Sequence, residues 1–244
     1  MKLQMLNKFK KNYFSQNGED GVIEEICRRL QITDGWFCEF GAWDGKYLSN
    51  TYALFQKGWK GVFIEGDTEK YRGLKSNFER GSGTDVWLLE AYVAPSGDNS
   101  LDNLLKRTPI PKDFDLLSID IDGKDYHVWE GLIDYQPKIV IIEINSSYPP
   151  YKEKVPDSES GGASFFSTIL LGYEKGYVPV CHTGNLFFIR KDIISKQFFP
   201  ETTYKSEAFL FDESWCKKLE KIAHKIRKIC GCYKLFKNVQ KELS

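Results

Sequence analysis

Short apolar runs alternate with segments of helical periodicity through the first 190 residues. The apolar runs lie at 36–40, 61–66, 85–93, 115–121, 138–145, 177–182 and 185–190. The helical segments lie at 19–31, 48–57, 68–78, 100–106, 125–133 and 163–175. Strands that alternate with helices form a parallel sheet with crossover connections. Only Thr183 and Gly184 separate the last two runs, which predicts a tight hairpin. The sequence therefore predicts an α/β fold with a doubly wound, seven-stranded sheet, mostly parallel, whose last hairpin strand is antiparallel.

Composition excludes several function classes. The chain has 34 basic and 34 acidic residues, so no global field favours nucleic acid. No apolar run approaches the roughly 18 residues of a membrane span, and the N-terminus lacks the apolar core of a signal peptide. The six cysteines are too scattered for a disulfide framework, and none forms a CxxC pair. We interpret Cys230 and Cys232 as reduced thiols, with a redox pair or half of a metal site as the alternative. These features indicate a reducing, cytoplasmic location.

The last 33 residues, 212–244, differ from the rest. From 214 onward nine Lys and Arg residues stand against Glu220 and Glu242, and apolar residues recur at helical spacing. This pattern predicts a basic amphipathic helical tail after a single domain over 1–211. The tail either packs on its own domain or on a second copy in a homodimer, or it docks on an acidic partner or a membrane surface.

A glycine turn follows the first predicted strand, with the pattern Glu39-x-Gly41-x-x-x-Gly45. The dinucleotide fingerprint G-x-G-x-x-G needs a middle glycine for close approach to a pyrophosphate, and here Ala42 and Trp43 stand there instead. Glu39 suits a ligand that carries an ammonium group. Glu65, at the end of the second strand, is placed to accept hydrogen bonds from a ribose diol. S-adenosylmethionine offers both groups, whereas NAD lacks the ammonium.

These residues resemble the first two motifs of the class I S-adenosylmethionine-dependent methyltransferases, in the FkbM-like branch. The matching stretches are "EFGAWDGKYLSNT" (39–51) and "GWKGVFIEGD" (58–67). Upstream, "FSQNGEDGVIEEI" (14–26) is similar to a segment that precedes the domain in some of these proteins. The resemblance covers about residues 13–192.

The resemblance implies a cofactor-binding set. At the methionine end it implies Glu39, Gly41, Ala42, Asp44 and Gly45, with Ser49, Asn50 and Asp120 nearby. For the nucleoside it implies Glu65 at the ribose, with Gly66, Asp67 and Tyr92 near the adenine. The N-terminal segment 1–35 is expected to pack over this pocket, with Ser15 and Gln16 closing it.

Further acidic residues follow the fourth and fifth predicted strands in "SIDIDGKD" (118–125) and "IIEIN" (141–145). Two interpretations compete for them. In the first, Asp120, Glu143 and Asn145 hold Mg²⁺ or another divalent cation that activates the acceptor. In the second, no metal is present, and one carboxylate acts as the general base or simply orients the substrate; Asp120, Lys124 and His182 are the candidates for the base. A purely structural role, with Asp122 or Asp125 capping the next helix, is the third reading.

A long polar loop at 145–164 carries tyrosines and lysines suited to a sugar or a phosphate. The resemblance implies O-methylation of a hydroxyl or acidic oxygen of a small polar acceptor: a sugar, a phosphorylated compound or a surface-polysaccharide precursor. The alternatives are a nucleotide-dependent oxidoreductase and a non-catalytic nucleotide-binding module with a docking tail.

Overall fold

The structure is a computed structural model that describes residues 5–78, 85–149, 152–156 and 161–194. The predicted tail at 212–244, Cys230, Cys232 and the residues at 150–151 and 157–160 of the polar loop lie outside the described residues. Seven strands are present: β1 (Trp36–Phe40), β2 (Lys60–Glu65), β3 (Val86–Glu90), β4 (Leu116–Ile119), β5 (Ile139–Glu143), β6 (Tyr177–His182) and β7 (Asn185–Arg190). The α-helices are α1 (Glu19–Leu30), α2 (Tyr52–Phe55), α3 (Thr68–Phe78), α4 (Leu101–Leu105), α5 (Asp125–Gly131) and α6 (Phe165–Glu174), with short 3₁₀ turns at Leu6–Phe9 and Lys191–Ile193.

The strands form one sheet in the order β3-β2-β1-β4-β5-β7-β6. All neighbouring pairs from β3 to β5 are parallel, and β7 runs antiparallel to both β5 and β6. The hairpin that contains Thr183 and Gly184 places β7 between β5 and β6. The predicted α/β architecture, with six parallel strands and one antiparallel hairpin strand, is thus confirmed.

Helices cover both faces of this sheet, and the central strands are therefore apolar on both sides. In β5, Val140 and Ile142 pack into one apolar cluster, while Ile139 and Ile141 pack into the other. All four side chains are fully buried. This alternation follows from the two-residue period of a strand, and it fixes which strand residues face each helix layer.

Helix α2 is much shorter than the helix predicted at 48–57. Residues 48–51 are not helical, and Leu48 has a positive φ of 56°. The cause is a buried acceptor on β1: Glu39 draws the side chains of Ser49 and Thr51 and the backbone N–H of Asn50 towards the sheet. These bonds satisfy the polar groups that would otherwise begin a helix, so α2 starts only at Tyr52.

The segment before β1 is anchored to the far hairpin. Glu19 begins α1 and is fully buried, and its carboxylate accepts a hydrogen bond from the Thr183 hydroxyl at 2.5 Å. Asp20 accepts three backbone N–H bonds, from residues 13–15. Together these bonds hold the preceding loop, which contains Gln16, beside the carboxyl edge of the sheet. Within the described residues, no helix is both long and apolar enough to cross a membrane.

Candidate functional site

A cavity of about 720 Å³ opens at the carboxyl ends of β1, β2, β4 and β5. Ligands of open α/β sheets bind at this edge, and the volume falls in the range of small-molecule pockets. Most of the residues predicted to form a site line the cavity: Gln16, Glu39, Gly41, Ala42, Ser49, Asn50, Glu65, Gly66, Asp67, Tyr92, Asp120, Lys124 and Glu143. The structure therefore gathers these separate motifs into one place.

Glu39 is buried, and its charge is compensated from within the protein. One carboxylate oxygen accepts bonds from Ser49 Oγ at 2.6 Å and Thr51 Oγ1 at 2.7 Å, and the other accepts from Asn50 N at 2.8 Å. Burial raises the pKa of Glu39 and these three bonds oppose the rise. The sequence predicts that Glu39 binds a ligand ammonium, because a buried acid needs compensation. That compensation is already present, so Glu39 chiefly holds the 46–51 loop against β1.

Glu65 lies at the end of β2 and occupies the position predicted for it. Its two oxygens accept bonds from the backbone N–H groups of Trp43, at 2.7 Å, and Asp67, at 2.8 Å. Glu65 lines the cavity, and each of its carboxylate oxygens retains a second lone pair that can accept a hydrogen bond. Asp67 serves as the cap of α3 and accepts from the N–H groups of Glu69 and Lys70. The Glu65 carboxylate is therefore fixed in orientation by the backbone and can still accept from a diol.

Two glycines of the cavity wall stand in tight contacts, and glycine is required at the first of them. At Gly41, with φ of 73°, an added Cβ would collide with the backbone oxygen of Asp120. At Gly66, a Cβ would collide with the ring of Tyr92, whose side chain is 71% exposed at the cavity. The first contact brings the ends of β1 and β4 together, and the second leaves a flat ring beside the end of β2.

Two members of the glycine turn do not line the cavity. The Asp44 side chain turns back to accept bonds from the N–H groups of Lys46 and Tyr47. Gly45 is buried, and a Cβ there would meet Phe78 and Leu74 of α3. Both residues shape the turn on its side away from the cavity, because the backbone bends away from the cavity after Trp43.

His182, predicted as a candidate base, is placed elsewhere. It ends β6 with 2% exposure and does not line the cavity. Its ring stands edge-on to Phe165, with centroids 6.0 Å apart. All six residues of β6 are buried, so the position of His182 at the carboxyl edge does not bring its ring to the crevice.

Asn145, predicted as a metal ligand, also lies outside the cavity lining. Its side chain donates to Gly161 O and accepts from Ser147, which ties the neck of the polar loop. Asp122, and not Asn145, lies beside Asp120 and Glu143. One carboxylate oxygen from each of Asp120, Asp122 and Glu143 lies within 4.8 Å of the others. Of the three residues predicted to hold a metal, Asp120 and Glu143 therefore belong to a cluster of three carboxylates, while Asn145 lies outside the cavity lining.

We call this cluster the carboxylate triad (Asp120, Asp122, Glu143), and the pKa values of Asp120 and Glu143 are raised. Desolvation, followed by repulsion from neighbouring acids, raises the pKa of Asp120 to about 8 and that of Glu143 to about 7. Asp125 is different, because its buried carboxylate accepts from Ile121 N and Gly123 N and shapes the turn. The triad therefore favours a bound proton or cation, which is the setting of both a base and a cation site.

Sequence reasoning missed several cavity residues. Trp43, Tyr47 and Leu48 line it with 46%, 57% and 41% exposure, and Lys70 Nζ lies 4.2 Å from the Trp43 ring centroid. Asn185, at the start of β7, lines it too and pairs with Glu143. The tight hairpin before Asn185 was the available signal.

Backbone strain is concentrated at the cavity. Four non-glycine residues among those described have positive φ, and Trp43, Leu48 and Asp122 of these line the cavity. Residues held in this region cost about 1–3 kcal/mol each and cluster at functional sites.

Comparison with known proteins gives structural likeness alone. No protein-family model matches the chain, and no curated protein matches it either. Similar solved structures include the N-terminal domain of EvdMO1 with SAH bound (14% identity, 72% of this chain, 80% of that chain, TM-score 0.46). Another similar structure is a SAM-dependent methyltransferase from Aquifex aeolicus, with 15% identity over 68% of this chain and 86% of that chain and a TM-score of 0.41. A third is M. capricolum TrmK with S-adenosyl-homocysteine, with 15% identity over 88% of this chain and 95% of that chain and a TM-score of 0.48.

The sheet order, with an antiparallel strand between β5 and β6, defines the architecture independently of those likenesses. The fold is a doubly wound α/β fold with six parallel strands and one antiparallel hairpin strand. In this fold the cavity described above lies at the carboxyl edge, across the point where the strand order reverses between β1 and β4.

Proposed function

We propose that this chain transfers a methyl group from S-adenosylmethionine to a small polar acceptor. The observation that carries the proposal is the cavity at the carboxyl edge, which is lined by Glu65 at the end of β2, a carboxylate held by two backbone N–H groups. A carboxylate at the end of this strand is suited to a ribose diol. The volume of about 720 Å³ accommodates a nucleoside with room for an acceptor.

The local structure after β1 favours this cofactor over a dinucleotide. A pyrophosphate binds at the N-terminus of a helix that directly follows the glycine turn. Here α2 begins only at Tyr52, and the intervening Asn50 N–H is taken by Glu39. Trp43 N, in the turn itself, donates to Glu65. The amides that would bind a pyrophosphate are thus committed to carboxylates of the protein.

The cavity residues divide into roles for a bound cofactor. Glu65 binds the ribose, and Gly66, Asp67 and Tyr92 border the adenine. Gly41, Ala42, Ser49 and Asn50 enclose the methionine end, and Gln16 borders it from the N-terminal side. Bound S-adenosylmethionine would supply an electrophilic methyl group; as the carbon–sulfur bond breaks, S-adenosylhomocysteine would be the leaving group, and the acceptor atom would exchange its proton for the methyl group.

Asp120 is the residue that we propose accepts this proton. It follows β4 directly, lines the cavity and belongs to the carboxylate triad. Lys124, four residues later, lines the same cavity and is the second choice. A positioned base contributes typically 10²–10⁴-fold to the rate.

A divalent cation at the triad is a second candidate for activating the acceptor. Three carboxylate oxygens within 4.8 Å of one another supply ligands of the type that Mg²⁺ prefers. In this version Asp120, Asp122 and Glu143 hold the cation, and Lys124 takes the proton. Loss of turnover in EDTA that Mg²⁺ restores would select this version.

The type of atom that is methylated and the class of acceptor are assigned from the sequence resemblance. From it we infer O-methylation of a sugar hydroxyl, as in the FkbM-like branch, with a surface-polysaccharide precursor as a candidate acceptor. The polar loop follows β5, the strand that ends in Glu143 of the triad. It begins at Asn145, and its described residues include Lys152 and Lys154. Homodimer formation through the 212–244 tail remains a proposal from sequence.

Equilibrium dialysis with radiolabelled S-adenosylmethionine tests the function. We expect Glu65→Gln to weaken binding at least tenfold, because the ribose loses a charged acceptor. Glu90→Gln is the matched control, since Glu90 ends the neighbouring strand β3 and lies outside the cavity lining. If the native chain retains no label, or if the two variants behave alike, the proposed cofactor site is wrong.

A further inference from the structure

One polar side chain of the cavity is buried without a hydrogen bond. Asn185 begins β7, lines the cavity and is only 7% exposed. Its side-chain amide makes no hydrogen bond to any residue that the structure describes. By contrast, the other buried carboxamide of the cavity, that of Asn50, donates to Ser118 Oγ at 3.1 Å. Buried polar groups are normally paired, so the amide of Asn185 is the one whose partner has to come from a ligand.

The hairpin between β6 and β7 holds Asn185 in a fixed position. Thr183, two residues earlier, donates its hydroxyl to the buried carboxylate of Glu19, and its backbone N–H donates to the backbone oxygen of Asn185 at 3.0 Å. On the other side Asn185 is the strand partner of Glu143. Directly opposed residues of an antiparallel pair project from the same face of the sheet. The Asn185 amide therefore stands beside Glu143 at the cavity, on a backbone that is anchored from both sides.

Strand order separates Asn185 from the proposed cofactor. In the sheet, β7 is the fourth strand away from β2 and the third away from β1. Because neighbouring strands are about 4.8 Å apart, Asn185 lies on the order of 19 Å from the end of β2 and about 14 Å from the end of β1. The proposed ribose site at Glu65 and the proposed methionine site at Gly41 are thus on the opposite side of the cavity. A ligand that reaches Asn185 is the acceptor.

The chemistry of a carboxamide selects the group that it binds. The Asn185 side chain has an oxygen that accepts hydrogen bonds and an amino group that donates them. A hydroxyl both donates and accepts in return, whereas an ammonium only donates and a phosphate dianion only accepts. The Glu143 carboxylate, on the same face, can accept from a neighbouring hydroxyl. A neutral group with more than one hydroxyl therefore matches this end of the cavity.

We propose that Asn185 selects the acceptor: it binds a hydroxyl that is not itself methylated, on a neutral polyhydroxylated acceptor such as a sugar. This inference rests on the proposed function and adds a specificity-determining residue to it. An acceptor that lacks this hydroxyl leaves the amide buried and unpaired. Sites built to hydrogen-bond a substrate group discriminate strongly against analogues without that group. We expect a loss of affinity of at least tenfold.

NMR titrations with methyl glycosides test the inference. Methyl α-D-glucopyranoside, mannopyranoside and galactopyranoside are titrated into the full chain saturated with S-adenosylhomocysteine, and then the monodeoxy analogues of the tightest of the three. We expect removal of one particular hydroxyl to weaken binding to the native chain at least tenfold. The same removal should change binding to Asn185→Leu less than twofold, because the partner of that hydroxyl is already gone.

Two further variants complete the experiment. Asn185→Ala repeats the comparison with a smaller side chain, in case leucine disturbs the hairpin. Asn99→Leu is the matched control, because Asn99 is exposed and lies outside the cavity lining. All three variants should bind S-adenosylhomocysteine as the native chain does.

Three results would overturn the inference: none of the glycosides binds, all monodeoxy analogues bind like the parent, or the same hydroxyl still contributes tenfold in both Asn185 variants. A loss of S-adenosylhomocysteine affinity in Asn185→Ala, with native-like stability in urea, would also overturn it by assigning Asn185 to the cofactor. Absence of S-adenosylhomocysteine binding to the native chain refutes the proposed function. Cofactor binding without discrimination among the glycosides refutes only the role of Asn185.

Discussion

Glu39→Gln tests whether the buried acid of β1 organises the cavity wall or binds the cofactor itself. The carboxylate accepts three bonds, from Ser49 Oγ, Thr51 Oγ1 and Asn50 N, at 2.6–2.8 Å. A glutamine keeps the shape but offers a single acceptor oxygen, and its amide group meets donors. Bonds to charged groups contribute about 1.5–3 kcal/mol each.

The expected loss of unfolding free energy is about 1–3 kcal/mol, which is well below the sum of three such bonds. Two effects reduce it. Burial raises the pKa of Glu39, so desolvation opposes the charged form that these bonds favour. The serine and threonine hydroxyls also rotate, and Thr51 Oγ1 can turn to accept from the new amide. Urea denaturation followed by tryptophan fluorescence measures the loss, with Glu69→Gln on the exposed face of α3 as the control.

The same variant distinguishes the two roles by its effect on ligand affinity. If Glu39 holds the 46–51 loop, stability falls and the affinity for S-adenosylhomocysteine falls only as far as the wall is loosened. If Glu39 binds the cofactor ammonium directly, affinity falls at least tenfold while stability is unchanged. A stability loss below about 0.5 kcal/mol, within the range of ordinary surface substitutions, would refute the structural role.

Three more perturbations follow from the contacts. Gly41→Ala should lower the free energy of unfolding by about 2–5 kcal/mol and Gly97→Ala by about 1–2 kcal/mol. Both have positive φ, but only at Gly41 does the Cβ meet backbone, so equal losses in urea would contradict the close approach of β1 and β4. In EDTA, stability should fall as the pH rises from about 4 to about 8, because the folded chain retains the Asp120 proton up to a pKa of about 8 whereas the unfolded chain releases it near 3.8. Asp120→Asn should flatten that slope, and an unchanged slope would be evidence against the shifted carboxyl. Thr183→Val should cost about 1–3 kcal/mol in a urea series, since Glu19 loses a buried donor; a neutral result would mean that the N-terminal segment is not anchored there.

The fold was accessible from sequence because its signals are local and repeated. Every predicted strand is present, and the ends of β6 and β7 agree with the expectation, because apolar runs bounded by turn residues mark strands directly. The exception, α2, was extended four residues too far towards the N-terminus. That error arose from a bond between distant residues: Glu39 competes for the groups of Ser49–Thr51, and a helical pattern cannot report it.

The candidate site was partly accessible, and the limit is side-chain direction. The rule that ligands bind at the carboxyl edge gathered residues from β1, β2, β4 and β5 correctly. It does not say which way a side chain turns once the strand has ended. Asn145 and His182 end or follow strands at that edge and yet point elsewhere, whereas Asn185 enters through its pairing with Glu143 across the antiparallel hairpin. That pairing depends on strand order, which sequence periodicity leaves open.

Isothermal titration of the purified chain with S-adenosylhomocysteine, and separately with NAD, tests the central claim most directly. We predict one binding site for S-adenosylhomocysteine per chain, with micromolar affinity that Glu65→Gln weakens at least tenfold, and no heat of binding for NAD. A chain that binds NAD at this site and leaves S-adenosylhomocysteine in solution would contradict the account.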